Sequence, residues 1–197
     1  MADIVDLIKA QHRQVDKLIK DAEGKAEQGE SRAIPALLQQ AADLLLPHSQ
    51  AEESFVYPRI AELDRSERDE VHDGAAEHHH VEELLRELLA EDPEAAGYDG
   101  KLAAMAGELR HHVEEEEQEL LPVLSENCPD EERAEMADRF AAATGSGAVR
   151  PDPGGSADPS RATRAELYEM AKEQDVSGRS KMSKEELAEA VDPRPSR

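Results

Sequence analysis

His48-Ser49-Gln50-Ala51-Glu52-Glu53 and His112-Val113-Glu114-Glu115-Glu116-Glu117 are two copies of one pattern, and a proline follows each, Pro58 and Pro122. His48 and His112 are 64 positions apart, as are Glu52 and Glu116, and Pro58 and Pro122. On a helix, a His and a Glu four apart share one face, one turn above the other. Two such pairs brought together make a pocket rich in nitrogen and oxygen donors, which suits iron. The repeat therefore predicts helices with polar groups turned inward, and a metal between them.

Outward from the repeat, apolar residues recur at helical spacing. Ile4, Ile8, Val15 and Ile19 predict a helix over 3–28, with Asp3 as N-cap and Gly29 as its stop. Ile34, Leu37, Leu38, Ala41, Leu44 and Leu45 predict a second over 33–57, which Pro47 is expected to kink or split. A third covers about 66–91 and a fourth about 99–121, with a shorter amphipathic piece at 130–143. Residues 1–143 are thus expected to fold as an all-α, up-down-up-down four-helix bundle. Residues 144–160 hold ten Gly, Pro or Ser among seventeen, the composition of a flexible linker. Residues 161–191 carry two capping boxes, Thr163 with Glu166 and Ser183 with Glu186, and predict a small helical hairpin.

The chain has 197 residues, 35% of them charged, with no Trp and a net charge of −23. Residues 1–143 hold 14 Lys and Arg against 36 Asp and Glu, which repels nucleic acid and anionic membranes. Cys128 is the single cysteine, so no disulfide framework is possible, and it reads as an ordinary loop thiol. No basic region followed by an apolar run opens the sequence, and no stretch is apolar for long enough to span a bilayer. These features predict a cytoplasmic protein.

Helical phase selects which of the eight histidines point inward. His12 continues the seam of the first helix. His48 and Glu52 continue Leu44 and Leu45, and His112 and Glu116 continue Met105 and Leu109. His111 falls on a polar face. In the third helix His78 extends Val71 and Ala75, His79 lies on an exposed face with His72, and His80 is intermediate. A lone inward His is most often an ordinary core residue, but two inward glutamates are costly unless paired or bound to a metal. Asp16 and Glu82 stand four after His12 and His78, as extra ligands, orienting acceptors or solvent-facing acids.

His12, the two His-x3-Glu pairs and His78 together resemble the hemerythrin-like, or HHE cation-binding, family over roughly residues 3–125. The resemblance implies a bundle holding an oxo- or hydroxo-bridged pair of iron ions. His12, His48, His78 and His112 would be terminal ligands, and Glu52 and Glu116 would bridge. It also implies a small ligand, O2, peroxide or NO. Oxygen-carrying members have a second His one turn after the third-helix ligand, where this chain has Glu82, and a longer spacing in the fourth helix. Fewer histidines leave more coordination positions open, which favours catalase-like peroxide decomposition over simple O2 carriage; the alternative is a sensor of O2, NO or iron. A ferritin-like reading through Glu77-His80 and Glu108-His111 leaves His12 and His48 idle. Residues 161–191 resemble the N-terminal module of the Rho termination factor and SAP-type helix pairs. That resemblance implies nucleic-acid or protein contact through Arg164, Arg179, Lys181 and Lys184, kept weak for bare nucleic acid by a local balance of six basic and seven acidic residues.

Overall fold

The computed structural model describes residues 2–145, with Ala190 beyond them. The expected linker and the 161–191 hairpin therefore lie, but for Thr144, Gly145 and Ala190, outside the described residues. Among the described residues the chain is helical and has no strand. Its helices are α1 (Ile4–Glu27), α2 (Ile34–Ala51), α3 (Tyr57–Leu63), α4 (Arg68–Ala90), α5 (Tyr98–Glu115), α6 (Leu121–Asn127) and α7 (Asp130–Ala143). A π-helical turn, Glu52–Val56, joins α2 to α3, and another, Glu116–Leu120, joins α5 to α6. The result is four long rods plus α7.

Each boundary has a local cause. Asp3 caps α1 by accepting from the Val5 amide at 3.0 Å. Gly29 follows the end of α1 at φ +71°, a conformation that costs a residue with a Cβ. Gly97, at φ +94°, does the same before α5. The α-helix runs through Pro47 unbroken, so the expected split is corrected: the irregularity falls one turn later, after Glu52. Pro58 and Pro122 each stand two residues past such a turn, where the missing N–H leaves one carbonyl without a helical donor. In each turn the hydrogen bond spans five residues, the Tyr57 amide donating to Glu52 and the Leu121 amide to Glu116. The rod predicted to end near 57 therefore continues to Leu63.

Around the bundle α1 packs on α2, α2 on α4, α4 on α5 and α5 on α1, while α7 lies across α1 and α2. Arg133 ties α7 to the first turn of α1 through Asp3 at 2.8 Å, and Arg139 lies over the Phe55 ring at 4.0 Å. The interior is divided. One apolar cluster takes Val15, Ile19, Leu38, Leu45, Val81, Leu85, Met105 and Leu109. The other takes Ile4, Ile8, Phe55, Tyr57, Leu120, Leu124 and Phe140. Cys128 stands in the loop between α6 and α7, as expected, and is buried in the second cluster, where burial pushes its thiol pKa up. On every long rod, the turn between the two clusters carries a buried histidine.

Candidate metal centre

That middle layer consists of His12, His48, His78 and His112 with Glu52 and Glu116, all buried. Phase reading placed these six inward, and the structure brings them together. Glu52 turns Oε1 toward His48 Nε2 at 3.1 Å and Oε2 toward His78 Nε2 at 3.3 Å. Glu116 Oε2 stands 3.2 Å from His12 Nε2 and 4.0 Å from His112 Nε2. His12, His48, Glu52 and Glu116 offer ligand atoms that all lie within 4.8 Å of one another. His78 and His112 pack edge to face beside them, with ring centroids 4.4 Å apart.

The residues set aside lie elsewhere. His79 is exposed, and so is His80, whose helical phase is intermediate. His111 is exposed and pairs with Glu115 on the surface. Asp16 pairs with Lys20 and Arg110. Glu82 is half-buried.

The groups that orient the imidazoles come from a neighbouring rod in every case. His12 Nδ1 donates to Glu117 Oε1 (2.9 Å) and His48 Nδ1 to Gln11 Oε1 (2.8 Å). His78 Nδ1 donates to Glu53 Oε1 (3.1 Å) and His112 Nδ1 to Glu77 Oε2 (3.0 Å). Each donor and acceptor pair spans two adjacent rods, and the four pairs close a ring around the bundle. With Nδ1 committed outward, each Nε2 faces the glutamates, as metal-binding histidines are held. None of these four acceptors was found by phase reading. The only trace in the sequence is that each directly adjoins one of the six inward residues.

Tyr57 was also missed. It is buried, stacks on His78 with ring centroids 5.5 Å apart, and brings its hydroxyl to 3.4 Å from His78 Nε2. The π turn sets it below Glu52, and Gly74 leaves the space, since a Cβ there would come within 3.1 Å of Tyr57 Oη. Burial, reinforced by Glu116 and Glu52, raises the phenol pKa.

The donor chemistry fits a cation. Both oxygens of Glu52, both of Glu116 and His112 Nε2 are buried without a hydrogen-bond partner. Orphaned carboxylate oxygens in an apolar interior cost several kcal/mol. Without a metal, protons on the facing imidazoles offset part of that cost. Burial pushes the His12 pKa down, but Glu116, Glu52 and Glu117 outweigh it and raise it to about 9. His78 is likewise raised to about 9, against burial, by Glu52, Glu116 and Glu53. Burial and the neighbouring His78 lower His112. Burial opposes ionisation of Glu52, yet His48 and His78 hold its carboxyl well below the usual range.

These shifts set a pH dependence. Between the ordinary histidine value of 6.5 and about 9, the folded metal-free chain binds more protons at His12 and His78 than the unfolded chain does. Their contribution to stability is full below that interval and lost as pH rises through it. Melting temperatures of chelator-treated protein are expected to fall steadily from about pH 6.5 to about pH 9. Metal uptake near neutrality is expected to release protons, measurable in a weakly buffered titration.

A cavity of about 580 Å³ reaches the layer from one side, lined by residues that include His12, His48, Val15, Leu45, Leu109 and Arg110. Beside His112 and Gly74, between α4 and α5, the space is about 10 Å³. No helix among the described residues is long and apolar enough to cross a membrane.

The hemerythrin HHE cation-binding domain matches residues 3–124 of this chain. A protein of Nostoc sp. (strain PCC 7120 / SAG 25.82 / UTEX 2576) named DNA nickase is 25% identical over 142 residues, which is 72% of this chain and 39% of that protein. The chain thus spans well under half the length of that relative. No solved structure matches.

Proposed function

The chain belongs to the hemerythrin HHE cation-binding domain family, and from that premise we propose that it is a non-haem di-iron protein that decomposes peroxide in a catalase-like reaction. His12, His48, His78 and His112 would serve as terminal ligands, and Glu52 and Glu116 would bridge. One observation carries the reading: the carboxylates of Glu52 and Glu116, buried with no oxygen in a well-formed hydrogen bond, turn three of their four oxygens toward the Nε2 atoms of His12, His48, His78 and His112. Nitrogen and oxygen donors in this mixture suit iron, which supplies a one-electron couple and an open coordination position.

The chain's own residues do the rest. Glu117, Gln11, Glu53 and Glu77 hold the Nδ1 protons, so that each Nε2 is turned toward the glutamates, where a metal would take it. The cavity between α1 and α5 admits a small ligand to the His12 and His48 side, and Val15, Leu45 and Leu109 make its walls apolar. Tyr57 offers a buried hydroxyl at the other side. Peroxide disproportionation, in which two H2O2 give two H2O and one O2, needs no outside reductant.

Purified protein is to be assayed for metal and then mixed with H2O2 under an oxygen electrode. Two irons per chain and rapid O2 evolution support the reading. Stoichiometric zinc that iron supplementation does not displace would sink it. His112→Ala is expected to lower metal content to one ion or fewer, while His111→Ala keeps two, which checks the register of the fourth rod.

A sensor of O2, NO or iron is the second reading, favoured by the Gly-, Pro- and Ser-rich stretch at 144–160 that separates a further charged segment. Stable reversible O2 binding without turnover would select it. DNA contact, which the relative's name raises, is opposed by the 36 acidic against 14 basic residues in 1–143.

A further inference from the structure

The ring of Nδ1 contacts has one odd member. Glu117, Glu53 and Glu77 are carboxylates, whereas His48 is held by the neutral amide of Gln11. The Gln11 contact is also the shortest of the four at 2.8 Å, so the difference lies in charge and not in a looser fit.

The direction of that amide follows from its other end. Gln11 Nε2 lies 3.1 Å from Thr144 Oγ1, and Thr144 Oγ1 donates its proton to the Phe140 carbonyl at 2.9 Å. A hydroxyl whose proton is committed there presents only lone pairs to Gln11. The NH2 group of Gln11 therefore faces Thr144, and its oxygen faces His48.

Glu52 separates two metal positions, since one oxygen faces His48 and the other His78. Both histidines on the His78 and His112 side lean on carboxylates, Glu53 and Glu77. On the other side only His12 does, through Glu117. A carboxylate on Nδ1–H makes Nε2 a stronger donor to a metal, and a neutral amide orients the ring with much less of that effect.

We propose that Gln11 is a positioning residue that makes the two metal positions unequal, leaving the one at His12 and His48 the weaker binding and the more easily reduced. This rests on the two-ion reading above. The more electron-poor position is then the one that the 580 Å³ cavity reaches.

The test compares the full chain with its Gln11→Glu and Gln11→Met variants, the latter removing the acceptor at similar size. Anaerobic Fe(II) uptake is followed by calorimetry, and the mixed-valence state by EPR during a redox titration. Wild type is expected to load in two resolved steps. Gln11→Met weakens the weaker step about ten-fold or more and spares the tighter one. Gln11→Glu tightens the weaker step, so that the two converge and the mixed-valence state spans a narrower range of potential. A residue that merely fills space would not move that range. Two metals loaded with unchanged separation in Gln11→Glu, or equal weakening of both steps in Gln11→Met, would overturn the inference alone. Fewer than two metals in wild type would overturn the two-ion reading and this inference with it.

Discussion

Glu52→Ala is expected to leave a folded chain that no longer holds two metal ions. Glu52 is the residue whose two oxygens face different histidines, His48 at 3.1 Å and His78 at 3.3 Å, so its loss takes a ligand from both positions at once. Changing a group that only orients a ligand typically costs 10–100-fold in affinity, so removing a shared ligand should cost at least about 100-fold at one position. Metal analysis after gel filtration should find one ion or fewer per chain. Glu116→Ala is expected to do the same from the fourth rod. The overall helix content should hold, because both apolar clusters remain intact on either side of the site. Two ions retained in either variant would remove that glutamate from the bridge.

Removing the metal from unaltered protein is expected to lower its melting temperature by roughly 10 °C. A ligand present at a thousand times its dissociation constant stabilises the native state by about 4 kcal/mol. In a domain of this size each kcal/mol is worth about 2–4 °C. The structural reason is the set of carboxylate oxygens without hydrogen-bond partners, whose desolvation a cation at the centre of the layer would offset. Calorimetric scans with chelator, then with Fe(II) restored, measure the difference. A melt that chelation leaves unmoved would mean that the layer is satisfied without metal.

Much of the fold and of the site was legible because both follow from one period. The seam Ile4, Ile8, Val15, Ile19 set the phase of α1, and the same arithmetic turned His12, His48, His78 and His112 inward and His111 outward. The π turns were not legible in this way, since a 3.6-residue period carries no record of an added residue. Their only sign is a proline six positions after each inward glutamate, and Pro47, which lies in regular helix, is a proline without the turn. The acceptors were hidden for another reason. Glu117 holds a histidine 105 positions away and Glu77 one 35 away, so neither relation is a spacing within one helix. Tyr57 needs the π turn to reach His78, and it was lost along with it.

The division of the interior into two apolar clusters with a polar storey between them bears on how the molecule breathes. Local opening starts where apolar contact is thinnest, and here that is halfway along each rod and not at the frayed ends alone. In the metal-free chain, amide hydrogens near His12, His48, His78 and His112 would exchange with solvent sooner than those in the storeys above and below. A bound cation would fasten all four rods at that height. Amide exchange at mid-rod would then serve as a gauge of occupancy, read without any reaction taking place.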